Sequence, residues 1–207
     1  SEAQKMGIDI LFEHGIANTS GHLKVKSATV GKLNNGKNSF TNLQKIDCDC
    51  ICVSGNWTPT VHLASQSGNK LKFDEESDTF LPNQSRQQET VVGAANGSFT
   101  LKESLDEGFE QGFKISSKIT NQNNKTDAPI SDEKSLGKHD KFWCMPLPEG
   151  KHYKRFVDFQ NDVAVSDIEL AVREGFRSID HVKRYTTLGM ATDQGKTSNL
   201  NGLQLVS

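Results

Sequence analysis

No stretch of the sequence approaches the ~18 consecutive apolar residues that a membrane-spanning helix needs. The opening Ser1-Glu2-Ala3-Gln4-Lys5 has neither the basic n-region nor the apolar h-region of a secretory signal. Charge of one sign is also lacking. With 24 Lys and Arg against 26 Asp and Glu, the formal net charge is −2, which gives no global case for nucleic acid or an anionic membrane as partner. Cysteine is scarce: four in 207 residues, three of them clustered. That is no disulfide framework for a chain of this length, and reduced thiols in a cytoplasmic compartment are the expectation. Internal repeats, a G-x-G-x-x-G phosphate loop, a Walker loop, an H-E-x-x-H pair and a Ser-His-Asp order are missing as well. What remains is a globular composition, 34% apolar and 24% charged, with length enough for one or two domains.

Composition changes twice along the chain. Residues 5–115 alternate between strand-like and turn-like pieces. Residues 116–140 are almost entirely Ser, Asn, Lys, Asp, Thr and Gln and read as a linker or long loop. Residues from 151 onward read as helical. In the first part, Ile8–Phe12 and Leu23–Val30 alternate as strands, and Asn34-Asn35-Gly36-Lys37 is a hairpin turn. Asp49–Gly55 is a mostly apolar run ending in Gly, the pattern of a buried parallel strand, and Glu89–Gly97 repeats it. Thr100-Leu101-Lys102-Glu103 is a capping box opening a helix to about Gly112. Strand, Gly-rich turn and helix in that order predict an α/β domain. In the last part, Ser166-Asp167-Ile168-Glu169 is a second capping box. Ile168, Ala171 and Val172 form one apolar face, Gly175 stops the helix, and Ser178 opens another over Ile179–Tyr185. So small a helical unit needs a partner surface for its apolar side.

Candidate chemistry is sparse. Cys48, Cys50 and Cys52 form C-x-C-x-C. Zinc ligands prefer two to four residues between them, so the spacing favours ordinary buried cysteines. Cys144, in Phe142-Trp143-Cys144-Met145-Pro146, reads as part of an apolar docking segment. His181, Lys183 and Arg184 form a basic patch on a helix, followed by Thr186, Thr187, Thr192, Gln194 and Lys196. That patch is either a solvated helix face or an anion site built from hydroxyls, amides and cations.

Two stretches carry a family resemblance. One runs from Cys50-Ile51-Cys52-Val53-Ser54-Gly55-Asn56-Trp57-Thr58-Pro59-Thr60 to Gly68. The other begins at Phe156-Val157-Asp158-Phe159-Gln160 and passes through Arg173-Glu174-Gly175-Phe176-Arg177-Ser178 to Gly189-Met190-Ala191-Thr192-Asp193-Gln194-Gly195-Lys196. Both resemble the alpha subunit of heterotetrameric, flavin-dependent sarcosine oxidases, over most of the chain outside the polar linker. The linker is longer and more polar than the family leads one to expect.

The resemblance implies an incomplete dinucleotide-binding domain, shaped like the FAD/NAD-linked disulfide reductases, over residues 1–115. A polar linker over 116–150 and a small α-helical domain over 151–207 would follow. The chain would begin inside the NAD domain and stop before the folate-binding domain, and would have no oxidase activity alone. The family oxidises sarcosine to glycine, with formaldehyde or methylene-tetrahydrofolate and hydrogen peroxide as products. FAD lies in the beta subunit, FMN at the alpha–beta interface, and gamma and delta subunits complete the complex. By that resemblance Gly55, Trp57, Thr58 and Pro59, with Gly93, Ala94, Ala95, Asn96 and Gly97, would contact part of an NAD. Lys183, Arg184, Thr186, Thr187, Thr192, Gln194 and Lys196 would face FMN. No catalytic residue is implied.

The helical part also resembles the bacterioferritin-associated ferredoxin-like domain, in which four cysteines hold a 2Fe–2S cluster. Asp158, Gln160, Asp193 and Ser198 stand at those positions here, so no cluster is expected. The alternatives are an interaction scaffold without cofactor contact and the alpha subunit of a related flavin-dependent amine or imino-acid dehydrogenase. An independent dinucleotide-binding oxidoreductase or an iron–sulfur electron-transfer module would need the phosphate loop or the cysteines that are absent.

Overall fold

The computed structural model describes residues 2–34, 38–55, 57–121, 127–132 and 142–207. In chain order the elements are α1 (Glu2–Lys5), β1 (His14–Gly21), β2 (Val25–Asn34), β3 (Ser39–Asp47), α2 (His62–Gln66), β4 (Lys70–Asp74), β5 (Thr79–Gln84), a 3-10 turn (Gly93–Asn96), α3 (Leu101–Thr120), β6 (Phe156–Asp158), β7 (Val163–Ala164), α4 (Val165–Arg173), α5 (Ile179–Thr186) and α6 (Asn199–Val206). They fall into two compact units, Ser1–Val53 with Lys141–Ser207, and Ser54–Asp140.

In the first unit β1, β2 and β3 form an antiparallel meander. The strand expected at Leu23–Val30 is present as β2. The one expected at Ile8–Phe12 is not, because Glu13 adopts a left-handed φ of 59° and the ladder starts only after it, at His14. The hairpin signal at Asn34–Lys37 lies largely outside the described residues, although β2 and β3 pair antiparallel with Asn34 opposite Ser39. The meander is thinly covered, and its buried side chains are small: Ala17, Ser27 and Ala28. Gly15 is glycine for a steric reason. A Cβ there would stand 2.7 Å from the Met145 sulfur, so the segment after residue 141 lies directly on the sheet. Arg155 ties that segment down through Nη1, which donates to the Met145 carbonyl at 2.9 Å and to Cys144 Sγ at 2.9 Å. The docking role read for Phe142–Pro146 is therefore present.

The buried parallel strand expected at Asp49–Gly55 is absent. Those residues have no regular structure, and Cys50, Cys52 and Val53 are exposed. β3 is the edge of its sheet, and the chain leaves it after Asp47 with no further strand beside it. All ladders among the described residues are antiparallel. Glu89–Gly97 is likewise no strand but coil leading into the 3-10 turn, bracketed by positive φ at Gly93 and Gly97.

The second unit contains the β4–β5 hairpin, stapled by an edge-on Phe73–Phe80 pair with centroids 5.3 Å apart. Thr100 caps α3 as its sequence predicts: Glu103 N–H donates to Thr100 Oγ1 at 3.2 Å, and Thr100 N–H to the Glu103 carboxylate at 3.3 Å. The helix passes through Gly108 and Gly112, where a stop was expected, and ends at Thr120 with Asn121 in the left-handed region. Each interior glycine costs about 1 kcal/mol. The i,i+4 pairs Lys102–Asp106 and Glu110–Lys114 offset part of this. Residues 116–120 are therefore helix rather than linker, while 122–126 and 133–140 lie outside the described residues.

From Phe156 onward a small α+β unit closes on its own core of Val157, Val163, Val165, Ile168, Ala171, Val182 and Leu188. α4 starts at Val165, one residue before the expected cap. The Asp167 carboxylate accepts from Ala164 N–H at 2.8 Å, and Ala164 has no side-chain acceptor to return the bond, so α4 opens on a one-sided cap two residues upstream of the Ser166 box. Ile168 and Ala171 are buried as expected, while Val172 is 37% exposed. Gly175 ends the helix with φ 97°, and Ser178 opens α5. The third helix, α6, was not anticipated; Gly202 lets it lie against Leu188, with no room for a Cβ.

Ile168 is 1% exposed and at the centre of this core. Ile168→Ala is expected to cost about 2–5 kcal/mol, whereas Leu63→Ala, at an 84% exposed position, stays within about 0.5 kcal/mol of wild type. Urea denaturation followed by circular dichroism measures both.

Candidate functional site

The best-built polar centre lies where the β6–β7 turn meets the chain between α5 and α6, and its hub is Asp158. This carboxylate is 3% exposed, which is costly for a charge unless it is fully hydrogen-bonded. It is: Oδ1 accepts Gln160 N–H at 2.9 Å and Asn161 N–H at 3.1 Å. Oδ2 accepts Gly189 N–H at 2.8 Å and, more distantly, Ser198 Oγ at 3.4 Å. Burial pushes the Asp158 carboxyl up, and the Gly189, Asn161 and Gln160 N–H groups outweigh it, so the pKa lies below the ordinary 3.8.

Neighbouring side chains extend the tie between the same two segments. Thr192 Oγ1 donates to Gln160 Oε1 at 2.8 Å, and Asn161 Nδ2 to the Thr187 carbonyl at 2.9 Å. Within the loop, Asp193 accepts Gly195 N–H at 3.1 Å and the Thr197 hydroxyl at 2.7 Å. The Thr197 hydroxyl, ahead of the Gly195 N–H, holds the Asp193 carboxyl below its ordinary range. Asn199 packs against Gly189 and Gly195 so closely that neither could carry a Cβ, and both glycines have positive φ. Asp158, Gln160, Asp193 and Ser198 all belong to this one assembly.

The seven loop candidates divide by role. Thr186 Oγ1 is used internally, donating to the Val182 carbonyl at 2.7 Å and accepting from Leu188 N–H at 3.2 Å, and Thr192 is engaged by Gln160. Thr187, at φ 65°, ends α5. Arg184, Gln194 and Lys196 are exposed, and Lys183 is half-buried. Among the described residues none of Lys183, Arg184 and Lys196 has an ion-pair partner. Two of these cations stand on the last turn of α5 and the third on the loop after it.

The remaining candidates lie in the other compact unit. Gly55, Trp57 and Thr58 are exposed in coil before α2, and Pro59 is buried. Gly93, Ala94, Ala95 and Asn96 form the 3-10 turn ahead of α3, and Gly97 ends it. Glu107 on α3 accepts from Gly93 N–H at 2.7 Å and from the Asn96 side chain. Those two donors therefore face a carboxylate, an arrangement that does not fit a phosphate. Cys50 and Cys52 hold their sulfurs 4.0 Å apart and are exposed rather than buried. Among the described residues no three His, Cys, Asp or Glu side chains are placed to hold a metal ion. No described helix is long and apolar enough to cross a membrane. Sequence reasoning passed over Gly189, Asn161 and Asn199. The Asp-Phe-Gln-Asn-Asp run, a turn-forming composition, was the available signal.

Asp158→Asn keeps the shape but turns a donor toward Gly189 N–H, and is expected to cost about 1–3 kcal/mol. Because folding lowers the pKa, the ionised Asp158 stabilises the fold above its ordinary 3.8, and that contribution is lost as pH falls through the lower folded-state value. The stability gap between wild type and variant should hold above about pH 5 and narrow as pH falls below 3.8 toward the lower folded-state value, measured by urea unfolding at each pH. A gap independent of pH would remove Asp158 as the hub.

Comparison with known proteins gives this geometry a context. Residues 152–207 match the sarcosine oxidase A3 domain family. The sarcosine oxidase subunit alpha of Rhizobium meliloti (strain 1021) is 36% identical over 170 residues, covering 79% of this chain and 16% of that protein. That of Corynebacterium sp. (strain U-96) is 29% identical over 213 residues, covering 100% of this chain and 22% of that protein. That of Corynebacterium sp. (strain P-1) is 30% identical over 168 residues, covering 79% and 17%. The chain therefore spans well under a third of the length of these relatives. The crystal structure of L-proline dehydrogenase from P. horikoshii aligns over 100% of this chain and 41% of its own, with a TM-score of 0.53 at 18% identity, a likeness of fold in a mixed α/β chain. The chain thus corresponds to a segment of a sarcosine oxidase alpha subunit, with its A3 domain at residues 152–207.

Proposed function

We propose that this chain is a non-catalytic part of the alpha subunit of a cytoplasmic, flavin-dependent sarcosine oxidase complex, and that its A3 domain presents the Lys183–Lys196 loop to the FMN side of the alpha–beta interface. The whole enzyme would convert sarcosine to glycine, with formaldehyde or methylene-tetrahydrofolate and hydrogen peroxide as the other products. Beta, gamma and delta subunits would be its partners, and the beta subunit would hold FAD. Residues 1–115 would belong to the NAD-binding domain, 116–150 would connect, and 151–207 would be the docking domain.

The observation that carries this reading is the loop itself. Asp158 holds the Gly189 backbone and Gln160 the Thr192 hydroxyl, so the loop that carries Thr187, Gln194 and Lys196 is tied to the β6–β7 turn, while Lys183 and Arg184 stand on α5 just before it. A cation held that way loses less freedom on meeting an anion than one on a mobile chain. By the resemblance to the ferredoxin-like domain, Asp158, Gln160, Asp193 and Ser198 would stand where that domain has thiolates; here Asp158, Gln160 and Ser198 close the loop on the β6–β7 turn by hydrogen bonds, and Asp193 braces the loop internally. FMN would supply the oxygen-reducing redox chemistry; this chain's residues would only bind and orient its phosphate. Of the two nucleotide candidates, the Gly55–Pro59 stretch is the one left for an NAD contact, since Glu107 answers the donors of the Gly93–Asn96 turn.

A charge-assisted hydrogen bond contributes about 1.5–3 kcal/mol. In the assembled complex Lys183→Ala and Lys196→Ala are therefore expected to weaken FMN retention or subunit association by about one to two orders of magnitude. Reduction of FAD by sarcosine should stay close to wild type. FMN content by absorbance, assembly by size exclusion and anaerobic flavin reduction measure the three quantities. Wild-type FMN content and assembly in both variants would leave these lysines as solvated surface.

A further inference from the structure

Strand β1 is irregular at one place. Ile16 stands opposite Val30 and Asn18 opposite Thr29, so Ala17 is an extra residue with no partner of its own. A bulge of this kind re-aims side chains and recurs beside binding sites. Here it lies under the segment that follows residue 141. That segment touches the sheet at Met145, against Gly15. It turns back over residues 148–151, where Lys151 N–H donates to the Pro148 carbonyl at 3.1 Å and Gly150 has φ 70°. It meets β1 again at Tyr153, whose hydroxyl accepts from Asn18 Nδ2 at 3.2 Å. The bulged strand and the two legs of this loop bound a cavity of about 420 Å³, within the size range of small-molecule sites.

The lining divides by chemistry. Ile16, Ala17, Met145, Pro146 and Leu147 supply apolar surface, and Asn18, Thr19, Tyr153, Lys154 and Arg155 supply the polar groups. Each of those polar side chains can donate a hydrogen bond, two are cations, and none is an acid. The whole chain has slightly more acids than bases, so the excess of donors belongs to this place. Arg155 is committed to the loop itself. Its Nη1 donates to the Met145 carbonyl and to Cys144 Sγ, and its Nη2 lies 3.6 Å from the Glu169 carboxylate. Lys154 has no ion-pair partner among the described residues. The Tyr153 hydroxyl, accepting from Asn18, keeps its own proton to give. These two are the donors left for a guest.

We propose that this cavity binds a small organic anion, a carboxylate on an apolar ring or branched chain. Its head would rest on Lys154 and the Tyr153 hydroxyl, and its body against Ile16, Met145 and Leu147. A zwitterionic amino acid is the wrong class, because its ammonium would meet two cations and no carboxylate. No lining residue is a candidate for the nucleotide or FMN contacts, so this site stands whatever becomes of the proposed function.

The test is photolabelling of the natural, full-length polypeptide with 4-benzoylbenzoate, a ring-bearing carboxylate, with the label mapped by peptide mass spectrometry. Label is expected on residues 145–147 or 16–19. The neutral 4-benzoylbenzamide should label at least about 10-fold less, a comparison that needs no variant. Lys154→Glu, at an exposed position, is expected to lower labelling by about 10-fold or more, and Tyr153→Phe by a smaller factor, since each removes a donor to the carboxylate. Thermal unfolding at the wild-type temperature checks that both variants stay folded. Absence of label from both stretches would overturn the proposal. Equal labelling by acid and amide, the behaviour of an apolar crevice without charge recognition, would overturn it too, as would undiminished labelling of folded Lys154→Glu.

Discussion

A buried carboxylate organises the C-terminal unit. Asp158 cannot remain ionised at 3% exposure without donors, and it draws them from two segments about thirty residues apart in the chain: Gln160 and Asn161 in its own turn, Gly189 and Ser198 beyond α5. Everything else in the unit is compatible with that requirement. Leu188 enters the core beside the hub, Gly189 and Gly195 keep their backbones free of Cβ atoms where Asn199 packs, and Gly202 admits α6 against Leu188. The charge is tolerated because the backbone N–H groups it engages would otherwise be unpaired themselves.

The same frame underlies the proposed function: the loop carrying Lys196 is tied to the β6–β7 turn at Gly189 and Ser198, and an anion bound there would meet a less mobile donor set. The Gly93–Asn96 turn shows the opposite case. It has the small residues and the following helix that suit a phosphate, but Glu107 reaches back from the second turn of α3 and meets its donors first. Whether a Gly-rich turn is an anion site depends on which acid the fold brings to it.

Legibility tracked the range of the interaction. The Thr100 capping box and the starts of β2 and α5 were readable because each depends on residues within a few positions. Helix α3 overran Gly112 because two glycines cost less than the rest of the helix gains. Ile8–Phe12 had the alternation of a strand but no neighbour to pair with, and the left-handed Glu13 ended its prospects. The cap of α4 slipped upstream because Asp167, rather than Glu169, supplies the carboxylate that reaches back, accepting from Ala164 N–H. Of the site, the residue types were visible and the connections were not: Asp158, Gln160, Asp193 and Ser198 could be named as a set only through resemblance, and their mutual hydrogen bonds span up to 40 residues.

The sequence by itself determined the local signals, the family, the mixture of helix and strand, and the absence of any phosphate-loop or metal-ligand motif. These rest on near-neighbour chemistry or on order along the chain. Only the tertiary structure decided that the sheets are antiparallel, that Asp158 is a hub, that Glu107 answers the Gly93 turn, and that Asp49–Gly55 stands unpaired. Each of those depends on which distant backbone donors and acceptors meet, and a backbone group is the same at every position in a sequence, so nothing in the residue order announces its partner.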